Sequence, residues 1–368
     1  RRAREDPRGA RGDVSPPASR RSWFRSAWPW LKYFVGLALA ALALWALAGR
    51  TGELSGATSY LDHLRWWWLA LALAAEAGSL VAFALIQKRL LEAGRVHPST
   101  ARLTAITVAS TAIANSMPAG PVVSAVFAFR QYRRQGADEA LAGWTLAAVF
   151  VAASVTLALV AAVGVTIAGA EGAGLDLVGV TVGVLVGALA LGAVFLQRRA
   201  LVWLVSGSVR ATRRVVGWPR GELAAQVDAI IARLTVVTLG FRQVVSVVGW
   251  GVANWVLDCA CLAISFLAIG AGIPWRGLLL AYGAGQLAAN LPITPGGLGV
   301  VEGSLTIALV QFGGAETSTV AAVLLYRILS FWAELPVGWA TWGVLVWSGR
   351  PATLTAQLPE GVIEEAAR

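Results

Sequence analysis

Hydrophobic residues in this chain come in blocks of about twenty, and the stretches between them gather nearly all the charge. The blocks fall near 33–49, 66–86, 103–129, 141–168, 177–196, 244–269, 277–312 and 319–346. A helix rises 1.5 Å per residue, so about 20 apolar residues cross a hydrocarbon core of roughly 30 Å. Six blocks read as uninterrupted spans, and two do not. The block at 103–129 carries Asn115-Ser116-Met117-Pro118-Ala119-Gly120-Pro121 at its centre. The block at 277–312 carries Ala289-Asn290-Leu291-Pro292-Ile293-Thr294-Pro295-Gly296-Gly297-Leu298-Gly299. Proline removes a helical donor and clashes with the preceding turn, so neither block predicts a continuous helix.

The charges beside the first broken block decide how it meets the membrane. Lys88, Arg89, Arg95 and Arg102 precede it, and Arg130, Arg133 and Arg134 come after it. Basic loops stay cytoplasmic, so a simple crossing would strand one cluster on the wrong side. A re-entrant hairpin satisfies both. Irregular backbone at membrane depth is tolerated where protein or a water-filled cavity surrounds it.

The two breaks also share a spacing. Asn115 and Asn290 are 175 apart (290 − 115), and the blocks before and after each break begin about 178 apart (244 − 66 and 319 − 141). Each half contains two spans, a broken hairpin and a third span. Three crossings is odd, so the second half is inverted relative to the first, an arrangement that recurs in transporters. The predicted fold is all-α: a polytopic membrane bundle of about six full spans plus two re-entrant broken hairpins in an inverted-topology repeat. Its parts are a disordered basic cytoplasmic tail at 1–31, a membrane domain at 32–348 and a short tail at 349–368. The halves run 32–169 and 175–348, with a basic amphipathic loop at 198–242. Trp66, Trp67 and Trp68 form an interfacial anchor. The expected location is the plasma (inner) membrane, with both termini cytoplasmic.

Composition narrows the classes further. Only 14% of residues are charged, against about 25% in soluble domains, which removes that class. The net charge of +10 sits in the loops as a topology signal, so nucleic acid is excluded as a partner. Cys259 and Cys261 lie two apart in an apolar block with no histidine nearby, and read as small buried hydrophobes. The first block lacks a small-residue cleavage pattern clear of its apolar run and is followed by many more spans, so no cleavable signal peptide is expected. The Arg1 start leaves the true N-terminus open.

The candidate chemistry is binding. The Gly-rich tip would open a half-helix whose N-terminus points into the membrane, where unsatisfied N–H groups attract anions. Pro118 and Gly120 offer a weaker version from the other face, with Asn115 and Asn290 bracing the breaks. The intramembrane charges are Glu76, Asp258, Glu302, Arg327 and Glu334. Each costs about 2.5–3.5 kcal/mol on insertion scales and should face the interior. Arg327 and Glu334 are seven apart on one face, and Arg327 is expected to pair with Glu302 or Glu334, or to meet an anionic headgroup. Arg130 at the hairpin mouth either guides a phosphate or anchors the cytoplasmic face. His63 and His97 are far apart in sequence, and no nucleophile, metal or nucleotide motif occurs. No catalytic residue, metal or cofactor is expected.

Leu291 to Glu302 resembles the flippase-like membrane family, also called the lysylphosphatidylglycerol synthase transmembrane region. That family has a Pro-x-x-Pro-Gly-Gly-x-Gly-x-x-Glu run, matched here by Pro292, Pro295, Gly296, Gly297, Gly299 and Glu302. An arginine comes about 25 residues later, matched by Arg327. The looser first-half pattern is matched by Asn115, Pro118, Gly120 and Arg130, and the likeness covers about residues 30–348. The resemblance implies a lipid flippase that passes an anionic or aminoacylated phospholipid, or a polyprenyl-phosphate-linked lipid, between the two hairpins. The substrate-contacting residues it implies are those just named together with Asn290, Thr294 and Glu334. Bifunctional relatives carry an aminoacyltransferase domain after the membrane part, and no such domain is expected here. The expected partners are membrane phospholipids with anionic headgroups, with a separate lipid-modifying enzyme and self-association as further candidates. The rival reading is a membrane subunit or enzyme of glycolipid or cell-envelope lipid biosynthesis.

Overall fold

The computed structural model describes residues 64–117, 120–169, 239–289 and 295–348, and seven positions between 179 and 192. The predicted spans at 33–49 and 177–196, the tails at 1–31 and 349–368, and most of the 198–242 loop therefore lie outside the described residues or nearly so. Everything described belongs to one compact unit, Thr51–Arg368.

Every described element is helical. Helix α1 is Trp66–Ala93, α2 is Thr100–Ser116, α3 is Gly120–Arg134 and α4 is Glu139–Gly169. The second half supplies α5, Phe241–Ala268, and α6, Trp275–Ala289. After a tight turn at Pro295–Gly297 come α7, Val300–Gln311, α8, Glu316–Arg327, a π-helical turn at Ile328–Trp332, and α9, Glu334–Ser348. Four stretches are long and apolar enough to cross a membrane: α1, α4, α5 and the composite Glu316–Ser348. The chain is a polytopic helical membrane protein.

Both broken blocks form helix–break–helix hairpins. Their arms have 17 and 15 residues (α2, α3), then 15 and 12 (α6, α7). At 1.5 Å per residue the longest arm is about 26 Å, short of a core of roughly 30 Å. The first break is narrower than the Asn115–Pro121 motif suggests. Asn115 and Ser116 close α2, while Gly120 and Pro121 already open α3, where a proline in the first turn costs no hydrogen bond. A side chain at Gly120 would collide with the Ala114 carbonyl, so the bend needs glycine there.

The halves meet through α1 and α5, each of 28 residues. The Arg65 N–H donates to the Ala268 carbonyl at 2.8 Å, joining the start of α1 to the end of α5. Midway, the Ser79 hydroxyl donates to Asn254 Oδ1 at 3.2 Å. Arg65 to Ser79 and Asn254 to Ala268 are both 14 positions (79 − 65 and 268 − 254), so the helices run antiparallel. Ser79 and Asn254 also stand 175 positions apart, the repeat interval itself. Equivalent residues thus meet each other at the crossing, which is what an inverted repeat requires on its two-fold axis.

Outer contacts repeat the symmetry. Gly283 on α6 packs on Ala161 of α4, and Gly338 on α9 packs on Val108 and Ala112 of α2. Position 108 is the repeat mate of 283 (283 − 108 is 175), and 161 that of 338 (338 − 161 is 177). One core joins the start of α1 to the end of α5 with α6, α7 and α8. The other joins the end of α1 and the start of α5 to α2, α3 and the start of α4. Between these two dry ends lies the middle of the crossing.

A β-carbon at Gly338 would strike Ala112 and the Val108 carbonyl, whereas Gly343 on the same helix has open space. Gly338→Val should lower stability by about 1–3 kcal/mol through overpacking, and Gly343→Ala should not. Thermal unfolding of the two purified variants in detergent checks this.

Candidate functional site

The middle of the α1–α5 crossing is where both helices carry polar groups into an otherwise apolar bundle. Glu76, Ser79, Asn254 and Asp258 line a cavity of about 260 Å³ there. Thr107, Thr111 and Asn115 of α2 close one side, and Gln286 and Ala289 of α6 another. Gly296 of the second hairpin's turn, with Tyr326, Arg327, Ser330, Phe331 and Glu334, completes the wall. The cavity thus lies between the two breaks and on the repeat's two-fold axis.

The turn that reaches it depends on glycine. Gly296, Gly297 and Gly299 have φ of 63°, 68° and 81°, a left-handed region costly for other residues. A side chain at Gly296 would also run into the Phe331 ring. The turn ends in a cap: the Gly299 N–H donates to Glu302 Oε2 at 2.6 Å, so the α7 N-terminus already holds a carboxylate. Glu302 Oε1 accepts from Arg327 Nε at 2.7 Å. Arg327 Nη2 donates to the Gly296 carbonyl at 3.1 Å, and its guanidinium stacks 4.5 Å from the Phe331 ring centre. One buried arginine therefore ties together the turn, the cap and the π-helical segment.

Across the cavity, Asp258 is held by neutral donors. The Tyr282 hydroxyl donates to Oδ2 at 2.7 Å, Gln286 Nε2 to the same oxygen at 3.2 Å, and the Tyr326 hydroxyl to Oδ1 at 2.8 Å. Glu76, 5% exposed, lies against Asp258, Glu334 and the Cys261 thiol. Its Oε2 has no hydrogen-bond partner among the described residues, nor does the Ser330 hydroxyl on the facing wall. Arg327 is the one cation among the lining residues, and Glu302 occupies it.

Of the residues singled out in the sequence, Glu76, Asn115, Asp258, Gly296, Arg327 and Glu334 line the cavity. Glu302 reaches it through Arg327, while Gly297 and Gly299 shape the turn and Pro295 begins it. Gly120 is buried at the first bend, and Arg130 is exposed on α3 away from the lining residues. Pro118, Asn290, Pro292 and Thr294 lie outside the described residues. Sequence reasoning does not single out Ser79, Asn254, Tyr282, Gln286, Tyr326 or Phe331. The signal it could have used was a polar side chain within an apolar helix, which Ser79, Asn254 and Gln286 all give.

The pattern that defines the lysylphosphatidylglycerol synthase TM region matches residues 33–338, taking in both hairpins and every cavity-lining residue. The chain belongs to that family. A UPF0104 membrane protein from Methanothermobacter thermautotrophicus (strain Delta H) is 37% identical over 84 residues. The matched stretch is 23% of this chain and 24% of that protein, so the two share about a quarter of their length.

Removing one partner of a buried ion pair strands the other and costs about 3–5 kcal/mol. Arg327→Ala and Glu302→Ala should each destabilise the protein on that scale. The double variant should cost less than the two singles added together, since neither charge is then left alone. Unfolding of the four proteins in detergent gives the coupling directly.

Proposed function

We propose that the protein moves lipid headgroups across the bilayer through the cavity between the two hairpins, while the acyl chains stay in the surrounding lipid. The supporting observation is the charge lining: Glu76, Asp258 and Glu334 face a hollow whose single guanidinium is already paired. Such a lining lowers the cost of taking a polar headgroup out of water, the barrier to unassisted flipping. It favours a headgroup that carries an amine beside its phosphate, such as an aminoacylated phosphatidylglycerol. The amine would lie toward the carboxyls. The process makes and breaks no covalent bond, so the protein acts as a transporter and not as an enzyme. The basic flanks of the first hairpin support cytoplasmic ends for its arms in a plasma membrane. A separate enzyme that makes the aminated lipid is the expected partner.

Reconstitution into liposomes tests the reading. Acyl-labelled lysyl-phosphatidylglycerol, phosphatidylethanolamine, phosphatidylglycerol and a polyprenyl phosphate are offered in parallel. The expected result is faster loss of inner-leaflet protection for an amine-bearing lipid. Thr111→Phe, which fills the cavity from α2, should slow it by at least about tenfold, an added barrier of roughly 1.4 kcal/mol. Acceleration of none of the four lipids overturns the reading.

A further inference from the structure

Among the described residues, the acidic side of the cavity has more carboxyls than cations to answer them. Three carboxyls converge there from three helices: Glu76 of α1, Asp258 of α5 and Glu334 of α9. Arg327 of α8 is the one guanidinium facing them, and it is bound to a fourth carboxyl, Glu302 of α7. The other titratable groups facing Glu76 are neutral, the Cys261 thiol on α5 and the Tyr326 hydroxyl on α8. From α2 the lining residues are Thr107, Thr111 and Asn115, none of which carries charge. Charge in a low-dielectric interior has to be neutralised or compensated locally, which suits these carboxyls to binding a proton or a cationic group.

The oxygens indicate what kind of cation fits. Both oxygens of Asp258 are filled by three protein donors. Oε2 of Glu76, nine-tenths buried and on the cavity wall, is an oxygen with no partner among the described residues. A hard metal ion wants six or more oxygens, whereas a proton or one N–H of an ammonium needs a single one. A proton and a headgroup ammonium would therefore compete for the same place.

We propose that Glu76 is a proton-exchange site, and that one proton crosses in the opposite direction for each amine-bearing headgroup that passes. The proposal rests on the transport reading above. The proton binds Glu76 Oε2 from water at one face when the cavity is empty of lipid. An arriving ammonium displaces it, and it leaves to water on the face the lipid came from. A lysyl-phosphatidylglycerol headgroup has two ammoniums and one phosphate, hence one net positive charge. Exchange for one proton is then electroneutral and works against no membrane potential.

Proteoliposomes with a trapped pH dye and an imposed pH difference test this, with lysyl-phosphatidylglycerol in one set and phosphatidylglycerol in the other. One-for-one exchange should build about a tenfold leaflet asymmetry of the lysyl lipid per unit of pH difference. It should move protons only when that lipid is present. Glu76→Gln should abolish the proton movement and the asymmetry, and Glu76→Asp should restore both in part. Each variant's rate without a pH difference gives its own normalisation. If the wild type flips the lysyl lipid with no proton movement and no asymmetry, the exchange is overturned and transport stands. If Glu76→Gln still moves protons with lipid, the assignment to Glu76 is overturned. If the lysyl lipid does not flip, the exchange is overturned, and the transport reading is then decided by the four-lipid comparison above.

Discussion

Hydrocarbon offers no water to an unsatisfied charge or backbone group, and the Arg327–Glu302 pair is how the second hairpin meets that constraint. The break between α6 and α7 gives up helical hydrogen bonds in the bilayer's interior. Glu302 replaces part of what is lost by accepting the Gly299 N–H, and Arg327 replaces more by donating to the Gly296 carbonyl. The two side chains then neutralise each other at 2.7 Å, so neither remains as a bare charge. This unit ties the left-handed glycine turn to α7 and α8, beside its packing on Phe331 and Ala289.

The backbone obeys the two-fold axis and the chemistry does not. Ser79 and Asn254 are mates and bond to each other, and the glycine contacts of α4 with α6 and of α9 with α2 are exchanged across the axis. The mate of Asp258, however, is Phe83 (258 − 175), and the mate of Glu76 is Gly251 (76 + 175). Thr107 and Thr111 stand in α2 where α6 has Tyr282 and Gln286. The first half uses its own buried polar groups differently, in a chain from the Tyr132 hydroxyl through Gln87 to Thr107 at 2.8 Å per step. The repeat supplies a frame with a hollow at its centre. Glu76 from the first half and Asp258 and Glu334 from the second then decorate the hollow with acids at positions whose repeat mates carry none, which gives it two unlike ends.

Much of this architecture is legible in the order of the residues alone. Blocks of hydrophobicity mark the membrane helices, because lipid leaves a chain few ways to be buried. Pro118, Pro121, Pro295 and the glycines beyond mark the breaks, because proline and glycine act locally on the backbone. The spacing of 175 between Asn115 and Asn290 carries the repeat. The convergence of Glu76, Asp258 and Glu334 is not legible in that way. Each can be flagged as an intramembrane acid, but their meeting depends on the antiparallel crossing of α1 on α5 and on how α9 leans across it. Tyr282 and Tyr326 are hidden for a related reason. A tyrosine in an apolar block reads as a hydrophobe until its hydroxyl is seen to have a partner.

The last span shows how one local irregularity redirects the chemistry. On a straight α-helix Arg327 and Glu334, seven positions apart, would share a face, two turns or about 10.5 Å from each other along the axis. Pro336 prevents that helix from being regular: its ring crowds the carbonyl of residue 332, four positions earlier, and it has no N–H to give it. The chain responds by widening into the π-helical turn Ile328–Trp332, sealed by the Ala333 N–H on the Ile328 carbonyl at 2.8 Å. A wider turn takes more residues per revolution, so α9 is rotated relative to α8. Arg327 is left facing α7, where it finds Glu302, and Glu334 is turned toward α1, where it lies against Glu76. Had the two paired with each other, the glycine turn would lack its brace and Glu76 its acidic neighbour from α9. The proline separates a structural charge pair from an unbalanced acidic one, and the cavity's character comes from that separation.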